Sequence, residues 1–266
     1  MSFTNAGSQV QSTTAAAVPA PREQSAAVQL ASGYLVAIDR ATEQLYEVVA
    51  DLDPITVRGA SLLPGWSRGH LITHLARNAD ALVNLLTWAK TGVEHPAYAS
   101  KADRDADIEE GSTRPLQLLR ADLDAACQRF AAASRDLPGS AWEAEIANVQ
   151  GKPMLAHQVP WLRLREVWFH LVDLDRGVGF ADLPDEWVEA FVDSVAGQFA
   201  DHPDVPALVL EVELPHGRQR SWELNTGGTG TAETVSGAAA DMIGWLTGRQ
   251  AGSRLGGNVP KLPAWL

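Results

Sequence analysis

Arg165-Glu166-Val167-Trp168-Phe169-His170-Leu171-Val172-Asp173 is apolar on nearly every side. Trp161, Leu164, Val167, Trp168, Leu171 and Leu174 surround one polar stripe at helical spacing: Arg163, Glu166, His170 and Asp173. A helix with this pattern is buried among other helices. Unpaired charge inside a protein costs on the order of several kcal/mol, so the stripe requires partners. A metal ion is one remedy, because Glu166 and His170 lie one turn apart and can bind the same ion.

A facing helix with suitable chemistry begins at Gly65-Trp66-Ser67-Arg68-Gly69-His70-Leu71-Ile72-Thr73-His74. Ser67 reads as its N-cap, and residues 92 and 96, a glycine and a proline, end it after about Lys90. His70 and His74 share a face that Asn78 extends. One of these histidines would complete a set of two His and one carboxylate. Such a set suits Zn²⁺ or Fe²⁺ and leaves coordination positions open for water or substrate. Spacing does not choose between His70 and His74. An ordinary Glu166–His170 pair at a helix seam satisfies the same pattern without any ion.

Outward from these two runs, apolar residues recur at helical spacing over residues 25–51 and 115–135. The second of these stripes contains Leu116, Leu119, Leu123, Cys127 and Phe130. The highly charged stretch 98–111 reads as a loop or a short helix, and 138–153 as irregular. The fourth helix starts near His157 or Pro160 and stops at Gly177. Four long helices in this order predict an antiparallel bundle, whose binding sites are built between helices. The remainder changes character. A helix is predicted over 185–201, strands over 207–214, 220–225 and 231–235, and a last helix over 237–247. The resulting expectation is an α+β protein: a disordered leader over 1–24, a metal-binding four-helix bundle over 25–182 and a small α/β C-terminal domain over 183–266. The leader is rich in Ala, Ser, Thr and Gln and offers little apolar surface to offset ordering entropy.

The composition excludes several classes. A formal charge of −12 gives no general attraction for nucleic acid or anionic membrane. No apolar run approaches the ~18 residues of a membrane span, and nothing resembles a secretory signal; a cytoplasmic protein is expected. Absence of a coiled-coil seam favours a monomer. Cys127 is the sole cysteine, which rules out an intramolecular disulfide and a Cys-rich zinc cage. It falls on an apolar stripe, so it reads as a core residue and not a nucleophile. The Gly227, Gly228 and Gly230 loop lacks the lysine of a P-loop. No nucleophile elbow supports Ser/His/Asp hydrolysis.

Together, residues 65–78, the run Asn84-Leu85-Leu86-Thr87-Trp88-Ala89-Lys90-Thr91-Gly92, residues 165–173 and the ending 260–266 resemble the mycothiol-dependent maleylpyruvate isomerases. That family is a DinB-like, zinc-binding four-helix bundle with a small C-terminal α/β domain. The resemblance implies His74, not His70, as a zinc ligand with Glu166 and His170. It implies mycothiol, a low-molecular-weight thiol, as cofactor and a small dicarboxylate as substrate. The reaction it implies is isomerisation of maleylpyruvate to fumarylpyruvate in the gentisate route of aromatic degradation. It also implies a functional arginine in a Gly-Arg pair after the last helix, which Gly248-Arg249 matches. Residues 250–254 depart from the family pattern, which leaves Arg254 as an alternative. Arg249 is expected to reach the site from the C-terminal domain and hold a substrate carboxylate. A related zinc-dependent mycothiol S-transferase, or a hydrolase of thiol conjugates, would carry the same metal set.

Overall fold

Helix boundaries in the computed structural model follow local chemistry closely. It describes residues 25–226 and 231–265; the expectations for the leader, 1–24, and for Gly227, Gly228 and Gly230 lie outside the described residues. Helix α1, Ala26–Ala50, is capped by Ser25, whose side chain accepts from the Val28 amide. Its buried face is Ala27, Ala31, Ile38, Ala41, Leu45 and Val49. The carbonyls left over at its C-terminal end are taken by Arg120, which donates to Val49, Ala50 and Leu52 oxygens. Helix α2, Arg68–Thr91, ends where Gly92 adopts φ 70°, the left-handed conformation that closes helices. Helix α4 is Leu116–Arg135, with the expected stripe buried, and α5 is Val159–Asp173. On α5, Leu164, Val167 and Leu171 are fully buried, each stabilising the bundle by about 1.5–3 kcal/mol.

Helices α1, α2, α4 and α5 form the four-helix bundle, with α2 against α4 and α5, and α1 against α5. The charged stretch that read as loop or short helix contains a twelve-residue helix, α3, Lys101–Ser112, capped by Ser100. It lies against α2. Two glycines make this approach possible. A Cβ on Gly69 of α2 would lie 2.6 Å from the Ser112 backbone oxygen, and one on Gly111 of α3 would collide with the Thr73 methyl. Arg58 fixes the end of α3 by donating to the Ser112, Thr113 and Arg114 carbonyls. Gly69→Ala is expected to destabilise the protein by about 1–3 kcal/mol, because the obstacle is backbone that cannot rotate away. Urea denaturation measures this; an unchanged midpoint would mean that α3 is loosely held.

The stretch 138–153, expected to be irregular, instead contributes most of a small antiparallel hairpin of β1, Glu145–Ala147, and β2, Pro153–Leu155. Beyond α5 the chain forms α6, Asp185–Phe199, then strands β3, Leu208–Leu214, β4, Arg218–Leu224, and β5, Glu233–Ala238, then α7, Ala239–Leu246, and β6, Gly256–Gly257. The sheet order is β4-β3-β5-β6. β3 and β4 form an antiparallel hairpin in which Leu214 opposes Arg218, joined through Pro215, His216 and Gly217 as the turn residues indicated. β3 and β5 run parallel. Alternation along β3 buries Leu208, Leu210, Val212 and Leu214. One face of the sheet packs on α6 and α7, and Trp187 of α6 meets Tyr34 of α1 at 5.1 Å between ring centres. The fold is therefore α+β, a helical bundle followed by a small α/β unit. Among the described residues no helix is long and apolar enough to cross a membrane.

Candidate metal centre

Every member of the polar stripe on α5 has a partner. At its N-terminal end Arg163, 1% exposed, donates to the Leu75 carbonyl, to Asn78 Oδ1 and to Cys127 Sγ. Asn78 thus belongs to the bundle's internal hydrogen bonding, and Cys127 is a buried core residue. One turn on, Glu166 meets His74 of α2, with Oε2 2.8 Å from Nε2. The same Oε2 lies 3.4 Å from His170 Nε2. The two imidazoles stand edge to face, 4.7 Å between centres. One ligand atom from each of His74, Glu166 and His170 lies within 4.8 Å of the others, a spacing that can hold a metal ion.

His70 takes another role. Ser67 and His70 form a reciprocal cap at the start of α2, in which the Ser67 amide donates to His70 Nδ1. Its other nitrogen lies 3.2 Å from Glu109. Both ring nitrogens are thereby engaged away from Glu166, so geometry separates two histidines that periodicity left equivalent.

Behind the cluster, His170 Nδ1 lies 2.9 Å from Asp173 Oδ2. This is the carboxylate–histidine arrangement that fixes a ligand's tautomer and turns Nε2 towards the ion. Asp173 is completely buried. Arg249 holds it with two parallel hydrogen bonds, Nε to Oδ1 at 2.9 Å and Nη2 to Oδ2 at 2.8 Å. Arg249 also donates Nη1 to the Thr247 carbonyl. Its guanidinium lies 5.0 Å from the Trp265 ring centre and 5.7 Å from that of Phe169. Gly248, at φ 72°, turns the chain after α7 and brings Arg249 to this position. Arg249 therefore reaches α5 from beyond the last helix, but its donors are directed at Asp173. Arg254 pairs with Asp241 and is largely exposed.

Two further groups face the cluster from α3 and the loop before it, and the sequence reading missed both. Arg104 Nη2 lies 3.2 Å from His74 Nδ1, and its Nη1 donates to Asp105. The Tyr98 ring centre lies 5.8 Å from the same guanidinium. The available signal was Ser100 with Asp103 three residues later, a helix-start pairing in a stretch too polar to show an apolar stripe. Trp66 closes another side, 5.5 Å from the His74 ring centre.

Burial disfavours charge here, and the pairings decide where charge remains. Burial pushes His74 down to about 4, with the Glu166 hydrogen bond offsetting part of that, so the ring is neutral at physiological pH. Burial opposes ionisation of Glu166, but the hydrogen bonds from His170 and His74 outweigh it and hold the carboxyl well below the usual range. For Asp173, burial is likewise outweighed by His170 and Arg249, and its carboxyl is lowered. The arrangement presents one anionic oxygen and two imidazoles at one point, the donor set of a divalent transition-metal site.

Residues 38–175, just over half of the chain, match the family model described as the mycothiol maleylpyruvate isomerase N-terminal domain. Two solved structures are similar over 88% of this chain and 97% of theirs, at 30% identity and a TM-score of 0.81. They are the mycothiol-dependent maleylpyruvate isomerase and a histidine-to-alanine mutant of it. No curated protein matches the chain. A family match over the bundle and a structural likeness that continues through the C-terminal sheet place this chain in the mycothiol-dependent maleylpyruvate isomerase family.

Proposed function

We propose that the protein converts maleylpyruvate to fumarylpyruvate with mycothiol as cofactor, at a zinc site held by His74, Glu166 and His170. The observation that carries this reading is the convergence of those three donors, in a chain that resembles solved isomerases over 88% of its length. A neutral His74, an ionised Glu166 and an oriented His170 fit a divalent cation. A bound ion would supply Lewis acidity, favouring the ionised form of a thiol or polarising a carbonyl oxygen.

Cis–trans isomerisation requires the C=C bond to become single for a moment. A thiolate adds to the conjugated alkene, the new single bond rotates, and elimination of the same thiolate restores the alkene as the trans isomer. The thiol is regenerated, and no oxidant or reductant is consumed. The chain's own thiol is unsuited, since Cys127 is buried against Arg163; the nucleophile must come from outside. A free thiol with a pKa of about 8.5 is mostly protonated at neutral pH, which is why ionisation needs help. Asp173 and Arg249 hold the His170 ring in one orientation. Arg249 acts on the site through Asp173, and in this reading the C-terminal unit, residues 183–266, supplies that support to a site on the bundle.

Purified, zinc-loaded protein with mycothiol should consume maleylpyruvate and yield fumarylpyruvate, and should fail to do so without the thiol. No turnover from protein that retains stoichiometric zinc would reject this substrate. The weight would then move to thiol transfer onto an electrophile or hydrolysis of a thiol conjugate at the same centre.

A further inference from the structure

We infer that Arg104 is the anion anchor of this site: its guanidinium, released from His74 when an ion is held, binds a carboxylate of the dicarboxylate substrate. This rests on the isomerase reading for the identity of that substrate. A histidine that ligates a metal ordinarily has an acceptor at its other nitrogen. His170 follows that rule, with Asp173 at Nδ1. His74 breaks it, with the Arg104 guanidinium 3.2 Å from Nδ1.

Counting donors makes the consequence definite. A neutral imidazole carries one proton. Nδ1 accepts from Arg104, so the proton of His74 is on Nε2, where it is donated to Glu166. A neutral histidine that gives its Nε2 lone pair to a cation carries the proton on Nδ1 instead. A protonated Nδ1 cannot accept from Arg104, because two N–H groups then face each other. Ion binding through His74 Nε2 and the Arg104–His74 hydrogen bond exclude one another. The residue is therefore misplaced as a ligand support, and its position needs another reason.

Its surroundings supply one. The guanidinium is about a quarter exposed, and Nη1 stays pivoted on Asp105, itself paired with Lys101. Tyr98 flanks it. The other arginines around the stripe are committed elsewhere: Arg249 to Asp173 and Thr247, Arg163 to Leu75, Asn78 and Cys127, and Arg165 to Ser194. A dianion entering a chain of net charge −12 needs local positive charge. Arg104 offers a planar donor pair for a carboxylate beside the cluster.

The test uses Arg104→Gln and Arg104→Lys in the full, zinc-loaded chain, with two readouts. The first is turnover of maleylpyruvate with saturating mycothiol, alongside zinc content. The second is calorimetric binding of maleate, a cis-dicarboxylate probe, without thiol. We expect Arg104→Gln to raise KM roughly ten- to a hundredfold, the scale of one charge-assisted hydrogen bond, with zinc content unchanged. Maleate binding should weaken in parallel, and Arg104→Lys should recover part of both. Unchanged KM and maleate affinity in Arg104→Gln would overturn the inference. So would loss of zinc, which would make Arg104 a support for His74. If the unsubstituted protein fails to turn over maleylpyruvate, the isomerase reading falls. Maleate binding that depends on Arg104 would still uphold the anion site, and its absence would remove that too.

Discussion

His74→Ala is expected to abolish retention of zinc and isomerase turnover together. The histidine supplies one of three converging donors, and the remaining pair, Glu166 and His170, comes from a single helix. Loss of a direct ligand should exceed the roughly 10- to 100-fold loss of metal affinity or activity that follows removal of an outer-shell partner. Stability should fall as well, because Glu166 loses its 2.8 Å hydrogen-bond partner and keeps only the longer contact to His170. An under-satisfied polar group of this kind costs about 1–3 kcal/mol. Metal analysis after dialysis, with thermal denaturation of the dialysed protein, separates the two effects. Full zinc content in the variant would exclude His74 as a ligand. His70→Ala is the matched control: it should weaken the start of α2 by about 1 kcal/mol and leave zinc in place.

Arg249→Ala should be the most destabilising single change near the site. Asp173 has no solvent exposure, and its two oxygens are shared between Arg249 and His170. Removing the guanidinium leaves a buried carboxylate with one partner, a loss of about 3–5 kcal/mol. A freed Asp173 also holds His170 less firmly, so zinc affinity should drop roughly 10- to 100-fold. Arg249→Lys should recover little, since a lysine cannot form the paired bonds. A substrate-contacting role for Arg249 predicts something different: raised KM with normal zinc content and normal stability. Measuring melting temperature, zinc affinity and KM on one preparation decides between the two. The second pattern would return the carboxylate-holding role to Arg249.

The bundle was legible because its helices carry strong local signals. Ser67 caps α2, Gly92 ends it, and the apolar residues of α1, α4 and α5 repeat at helical spacing. The cluster was legible as residue types, since a buried stripe with Glu166 and His170 demands a partner. Deciding which histidine answered it required more than periodicity, because His70 and His74 point the same way along α2. The difference arises at the helix start, where Ser67 claims His70. Helix α3 was ambiguous for a separate reason. Among its residues only Ile108, Gly111 and Ser112 are buried, so no stripe exists to be read. It is held by a cap, by Arg58 and by the close approach of two glycines, and these become visible only when the chain is folded. Arg104 was hidden with it.

The glycine contact between α2 and α3 bears on how this enzyme could be made more robust. A stabilisation scheme based on helix propensity would choose interior helix glycines first, since alanine is better there by about 1 kcal/mol. Gly69 and Gly111 lie at helix ends, in the first turn of α2 and the last turn of α3, and should be excluded even from a scheme widened to every helical glycine, because a methyl group at either would wedge α3 off α2 and shift Arg104 with it. Gly197 has nothing within 4 Å of a new Cβ, and Gly33 meets only the edge of the Trp187 ring at 4.0 Å. Those two positions in α6 and α1 accept the same substitution, so durability can be improved at a distance from the catalytic geometry.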